Sequence, residues 1–306
     1  MHQRPKLKEY PITQESEDDR LVTVRLIAMS MLILPLAAAG QNGSGNGDDA
    51  LVQRALINEV RAAADVQHPM RYRLHKASSR FASTKDIFET KDGAVAHLIA
   101  MNDAPLSEAD QEKEQARLNG LLSDPSKQRH RKQTEDADTQ RAMKVLRALP
   151  AAFVYHFAGT SDAAAGNLEK FTFSPNPKFD PPDLETQVLT QMGGAIWIDP
   201  ENERVTRLEG HLQQDVDFGW GILGRLNKGG WIVIEQARVA EHQWRIVHFQ
   251  MSMSGRVVFK TKVFDTTEDE SRFVPLPAGL SYRQAIQIMR AEGENAGTGN
   301  NSRANR

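Results

Sequence analysis

The stretch Gly230-Trp231-Ile232-Val233-Ile234-Glu235-Gln236-Ala237-Arg238-Val239 decides the fold, together with Gln243-Trp244-Arg245-Ile246-Val247-His248-Phe249-Gln250-Met251 just after it. Its alternation has period 2, not the 3.6 of a helix. Trp231, Val233 and Ala237 fall on one face; Ile232, Ile234, Gln236 and Arg238 fall on the other. In the second run Trp244, Ile246 and His248 oppose Arg245, Val247, Phe249, Met251 and Met253. β-branched and aromatic residues fill both runs, and turn residues bound them. Outward from here the pattern predicts strands over 195–199 and 204–213. It also extends the last strand from Gln243 to Phe264, broken at Ser254-Gly255. The connections Asp199-Pro200-Glu201-Asn202, Ala240-Glu241-His242 and Ser254-Gly255 are short. A parallel pair needs a crossover of a dozen or more residues, so these neighbours are antiparallel.

The remaining chain adds helices and more strands. Asp48 or Asp49 caps a helix through about Ala64, with Leu51, Ala55, Leu56, Val60 and Ala63 as its apolar stripe. Met70, Tyr72 and Leu74 alternate with Arg71, Arg73 and His75 in a first strand. Strands over 84–90 and 94–101 follow across Lys91-Asp92-Gly93. A helical insertion then spans about 105–149. It opens on Ser107-Glu108-Ala109-Asp110, a variant of the capping box with Asp110 in the last place. Pro125 divides it, and its second helix runs from about Ser126 to Leu149, where Pro150 ends it. The composition of 107–141 predicts solvent-facing helices that contribute little core. A hairpin over 153–158 and 167–174, joined by a long loop, leads through a proline-rich connection to the main meander. A last strand, about 271–274, is followed by a short helix over 282–290 and a tail, 293–306, disordered by composition.

The chain of 306 residues carries a formal net charge of −2, so no global field points to nucleic acid. It has no cysteine, which excludes a disulfide framework, a thiolate metal site and a Cys nucleophile. Residues 20–41 resemble a secretory signal: Arg20 and Arg25 flank the apolar run Leu26–Leu36, and small residues follow it. That run is shorter than the roughly 20 residues of a membrane span. Cleavage is expected between residues 38 and 43; retention as an uncut anchor is the alternative. Residues 1–41 are then an extension and signal, 42–280 the sheet domain, and 281–306 the short helix and tail.

Several phrases together carry a resemblance. They are Asn102-Asp103-Ala104-Pro105-Leu106-Ser107-Glu108, Gly194-Ala195-Ile196-Trp197-Ile198-Asp199, Val205-Thr206-Arg207-Leu208-Glu209, Asp217-Phe218-Gly219-Trp220-Gly221 and Ser254-Gly255-Arg256. Over roughly residues 48–275 the chain resembles a family of secreted bacterial proteins related to the periplasmic outer-membrane lipoprotein carrier, or lipoprotein-sorting protein, superfamily. The resemblance implies an α+β fold: a single wrapped antiparallel sheet, like half a barrel, with an apolar concave face under covering helices. The helical insertion departs from the carrier.

No residue cluster names a reaction, and a non-enzymatic protein without cofactor or metal is expected. Gly219-Trp220-Gly221-Ile222-Leu223-Gly224 has G-x-G-x-x-G spacing, but a dinucleotide fingerprint needs a strand–turn–helix in a βαβ unit. Here it sits in an antiparallel meander, where glycines ease a bend. Glu209, His211, His242 and His248 supply no third convergent ligand for a metal. The aromatic positions of the sheet have two readings: ordinary core, or the lining of an apolar cavity. On the second reading Trp197, Trp231, Trp244, Ile246, Val257 and Phe259 are the candidate ligand-binding residues. Their central face carries Trp244, Ile246 and His248, continued by Val257, Phe259 and Thr261. The expected function is a cell-envelope binding module for a lipid, lipoprotein or hydrophobic peptide. A protein-interaction or sensor module without a small-molecule ligand is the alternative.

Overall fold

A computed structural model describes residues 47–163, 166–218, 224–257 and 260–301. The signal-like segment, most of the Gly219–Gly224 stretch and Phe259 lie outside them. The described chain is α+β, with thirteen strands in one open antiparallel sheet. The strands are β1 Met70–Ala77, β2 Ala82–Phe88, β3 Val95–Met101, β4 Ala104–Pro105, β5 Phe153–Ala163, β6 Gly166–Pro175, β7 Met192–Asp199, β8 Arg204–Leu212, β9 Val216–Phe218, β10 Gly224–Leu226, β11 Trp231–Ala240, β12 Gln243–Val257 and β13 Lys260–Pro275. The helices are α1 Gly47–Ala63, α2 Glu108–Ser123, α3 Pro125–Ala152, α4 Leu184–Gln187 and α5 Tyr282–Asn301. Spatial order is β4-β3-β2-β1-β13-β12-β11-β8-β7-β6-β5, with β10 joining the end of β12 and β9 pairing β10. The two meanders meet where β13 pairs β1.

Several expected boundaries move, each for a physical reason. Ser254-Gly255 is not a turn: β12 runs through it to Val257, and β13 continues unbroken to Pro275. Gly255 lies in the part of β12 that pairs with β10, opposite Leu226; an added Cβ would stand 2.5 Å from the Arg225 carbonyl oxygen. A glycine in a strand that marks a close backbone approach resembles a turn glycine in sequence alone. The expected loop between the strands of the 153–175 hairpin is strand as well, so β5 and β6 pair from Phe153–Pro175 to Ala163–Gly166. The helix α3 contains Pro150 in its last turn. Its start is earlier than expected: Pro125 occupies the first turn, where a missing N–H costs little, and Asp124 caps it by accepting from the Ser126 N–H. The helix α5 is longer than the short helix expected.

The main core lies on the face of the sheet that α1 covers. Phe171, Ile196, Ile198, Val205, Ile232, Phe249, Met251 and Met253 meet Leu51, Val52, Ala55 and Leu56 of α1 and Val145, Leu149 and Ala152 at the end of α3. On the opposite face of the sheet a second cluster buries Phe88 and Val95 under Leu118 and Leu121 of α2 and Ala285, Ile286 and Met289 of α5. The insertion is therefore no solvated excursion. Leu118 is fully buried, and the expectation that 107–141 contributes little core is corrected.

Gly194 sits where β6, β7 and β8 press together. A Cβ there would lie 1.9 Å from the Glu209 carbonyl oxygen and 2.9 Å from Phe173 Cζ. The first contact is backbone and has no rotamer to yield. Gly194→Ala is expected to cost about 3 kcal/mol, the upper end for overpacking. Urea unfolding checks this; a midpoint equal to that of the wild type would refute it.

Candidate functional site

The two edges of the sheet are treated differently. At the β3 edge, polar side chains of the insertion bond the backbone. The Ala94 N–H donates to Glu135 Oε2 at 2.9 Å and the Leu98 N–H to Glu114 Oε1 at 2.9 Å. The Arg117 guanidinium donates to the Ala96 carbonyl and pairs with Glu114. An open strand edge is a template for pairing with another chain, and covering it removes that hazard. Burial pushes the Glu135 carboxyl up, against the Ala94 N–H and Lys132. Burial also holds the His97 imidazole below its usual value, against Glu114 and Asp86.

Beside this covered edge runs a groove of about 620 Å³ between β3, β4, α2 and α5. Leu98, Ile99, Leu106 and Met289 give it an apolar floor, and Gln111, Gln115, Asn119 and Arg290 a polar rim. Arg290 donates to Asn119 Oδ1, which ties α5 to α2 across the groove. An apolar trough with a few polar groups suits an extended segment with alternating side chains. The signal in sequence was weak. Gln111, Gln115 and Asn119 sit on a polar helix whose composition looks solvated.

The candidate lining residues do not gather in one place. Trp197 is half-buried on the face opposite α1, with Lys170 Nζ 4.7 Å and Arg207 Cζ 5.7 Å from its ring. Trp231 shares that face, opposite His211 and Ser252. Trp244 and Ile246 are on the face that α1 covers: Arg204 lies 5.5 Å over the Trp244 ring, and Ile246 packs against the main core. Val257 ends β12 opposite Lys260 and Gly224.

The face predicted to run Trp244, Ile246, His248 is broken by a bulge. The register passes from Gln236–Ile246 to Glu235–His248, leaving Val247 extra. A bulge shifts the alternation by one. Beyond it Phe249, Met251 and Met253 turn to the core, while His248 bonds Asp269 at 2.7 Å on the other face.

One group was missed altogether. Glu59 of α1 is buried and accepts from Arg204 Nε at 2.8 Å, Arg204 Nη2 at 2.9 Å, the Val205 N–H at 3.0 Å and Gln236 Nε2 at 3.0 Å. It fastens α1 over the sheet. The signal was there: Glu59 continues the stripe Val52, Ala55, Leu56 as its one charged member.

Among the described residues no group of three or more His, Cys, Asp or Glu is placed to hold a metal, and no helix is long and apolar enough to cross a membrane. The segments flanking Gly219–Gly224 are the antiparallel strands β9 and β10, with Phe218 opposite Gly224.

The fold defines a class, α+β with one large open antiparallel sheet under covering helices. Comparison with solved structures finds two weak similarities. A domain described as an outer membrane lipoprotein-sorting protein, from Vibrio parahaemolyticus, is 9% identical; the match covers 74% of this chain and 93% of that one, at a TM-score of 0.29. MucB, solved in complex with MucA(peri), is 10% identical over 70% of this chain and 92% of its own, at a TM-score of 0.21. No family profile and no curated protein matches the sequence. Likeness of this degree carries no argument, and what those two proteins sort or bind belongs to them.

Proposed function

We propose that the protein is a non-enzymatic binding module of the cell envelope, exported by its signal-like N-terminal segment, whose partner is a polypeptide. The extended part of that partner lies in the groove between β3, β4, α2 and α5. The observation that carries this reading is the packing of the face that α1 covers. Phe249 is 0% exposed and Met251 4% exposed beneath α1, so the surface that would line an acyl-chain cavity is occupied by the chain's own helices. Among the described residues a half-polar groove stays open, which fits a peptide better than a lipid.

Lipid extraction and mass spectrometry on protein purified from its own periplasm test this. The expected result is no stoichiometric acyl chain. One acyl chain per molecule would sink the polypeptide reading and restore the lipid or lipoprotein ligand. A photocrosslinker at Gln115 is expected to mark one continuous segment of one partner. The same probe at Thr172, on β6, should not.

A further inference from the structure

The second edge of the sheet is the opposite of the first. Among the described residues β5 has a neighbouring strand on one side only, β6. Edge strands are usually blunted by lysine, proline or a covering element. Phe153-Val154-Tyr155-His156-Phe157-Ala158-Gly159-Thr160-Ser161 carries no Lys, Arg, Asp, Glu or Pro. Two of its apolar side chains are exposed, Val154 at 37% and Phe157 at 47%. Phe157 leans on Phe171 with ring centroids 5.6 Å apart, and its other side faces solvent. The pairing with β6 slips between Phe157 and Gly159, so a bulge at Ala158 bounds a regular five-residue stretch, 153–157.

We infer that this edge pairs with the same edge of a second copy of the chain, antiparallel about a twofold axis through Tyr155. The axis sets Phe153 opposite Phe157 of the partner subunit, and Val154 opposite the partner's His156. Charge selects this occupant. In a twofold pairing a segment meets itself, so any charge near the centre faces its own kind, and like charges directly opposite destabilise a sheet. A stretch without charge meets that condition at every position. A partner of other sequence would gain from a complementary charge that 153–161 does not offer. The pairing also covers Phe157, which packs beside the partner's Phe153 and continues the aromatic row Phe153, Tyr155 and Phe173 into a second subunit. An isologous contact of this kind closes as a dimer and leaves the groove at the far edge of each sheet free. This inference does not rest on the polypeptide reading of that groove.

Sedimentation velocity on the full chain over a concentration series tests it. A reversible monomer–dimer equilibrium is expected. Val154→Lys, at an exposed position, should shift the dissociation constant at least tenfold towards monomer, with the melting temperature unchanged when both proteins are diluted to monomer. Because the chain has no cysteine, a single nitroxide at His156→Cys reports the register. The two labels should lie on backbone positions roughly 8 Å apart, from two residues along the strand and one across, and the spectrum should show strong dipolar broadening. A wild type that stays monomeric overturns the inference and leaves the edge to another protein. A dimer that Val154→Lys leaves intact, or one without broadening at position 156, overturns it as well.

Discussion

Glu59→Ala is expected to lower the unfolding free energy by about 3–5 kcal/mol, the range for breaking a buried ion pair by removing one member. The carboxylate accepts four hydrogen bonds: two from Arg204, one from the Val205 N–H and one from Gln236. Glu59 is 7% exposed, and the Arg204 side chain 11%. Alanine would leave a guanidinium and an amide N–H under a helix with nothing to accept from them, and water has little room to take the place of the carboxylate. Arg204 lies over Trp244, so its displacement also disturbs that ring. The loss is larger than for the surface pair Arg54–Glu203, whose side chains are 52% and 35% exposed and whose contribution falls below about 1 kcal/mol. Urea unfolding of the two variants Glu59→Ala and Arg54→Ala checks the contrast. A double variant, Glu59→Leu with Arg204→Met, is expected to recover most of the loss, because an apolar pair of similar volume removes the orphaned charge. If Glu59→Ala falls within about 1 kcal/mol of wild type, Glu59 does not fasten α1.

The sheet was legible in the sequence because its signal is local. Period-2 alternation over Trp231–Val239 names a strand whatever it packs against, and short turns dictate antiparallel order. The pairing of β13 with β1, which joins the two meanders across most of the chain's length, has no local signal. Gly255 shows the same limit: its need for glycine comes from Arg225 of a different strand, and sequence reasoning can only assign it to a turn. The groove escaped for a related reason. Glu114 and Arg117 look like a solvated i, i+3 pair, and only the fold reveals that they also bond the backbone of β3. The insertion's buried leucines, Leu118 and Leu121, stand in a run otherwise rich in Gln, Lys, Arg and Glu, which dilutes their periodicity. The bulge at Val247 did the most to mislead. One extra residue exchanges the faces of everything beyond it, so a reading anchored on Trp244 assigns the wrong parity to Phe249.

That exchange makes Phe249 the decisive side chain of the face that α1 covers. Phe249→Ala is expected to cost about 3–5 kcal/mol, the range for removing a fully buried aromatic ring. Its exposure is 0%, and its cluster includes Ile196, Ile198, Val205 and Ile232 of the sheet with Val52 and Leu56 of α1. Across the strand it faces Ile234 on one side and Glu268 on the other. Glu268 is itself buried and held by Lys76 Nζ at 2.9 Å, so a void opened beside it borders a charged pair as well as apolar carbon. Sheet and helix positions on both sides are fixed by ladders and by Glu59, which limits collapse into the space left by the ring. Poor collapse places the cost at the upper part of the range. Trp231→Ala, on the face opposite α1 and half-buried, removes a larger ring and should cost less than half as much. Paired urea titrations with unchanged slopes give both numbers directly. If instead the face under α1 can open to hold an acyl chain, Phe249→Ala costs little and alters binding of a fluorescent fatty acid. A small loss with that binding change refutes the packed-core assignment, and with it the observation on which the polypeptide reading rests.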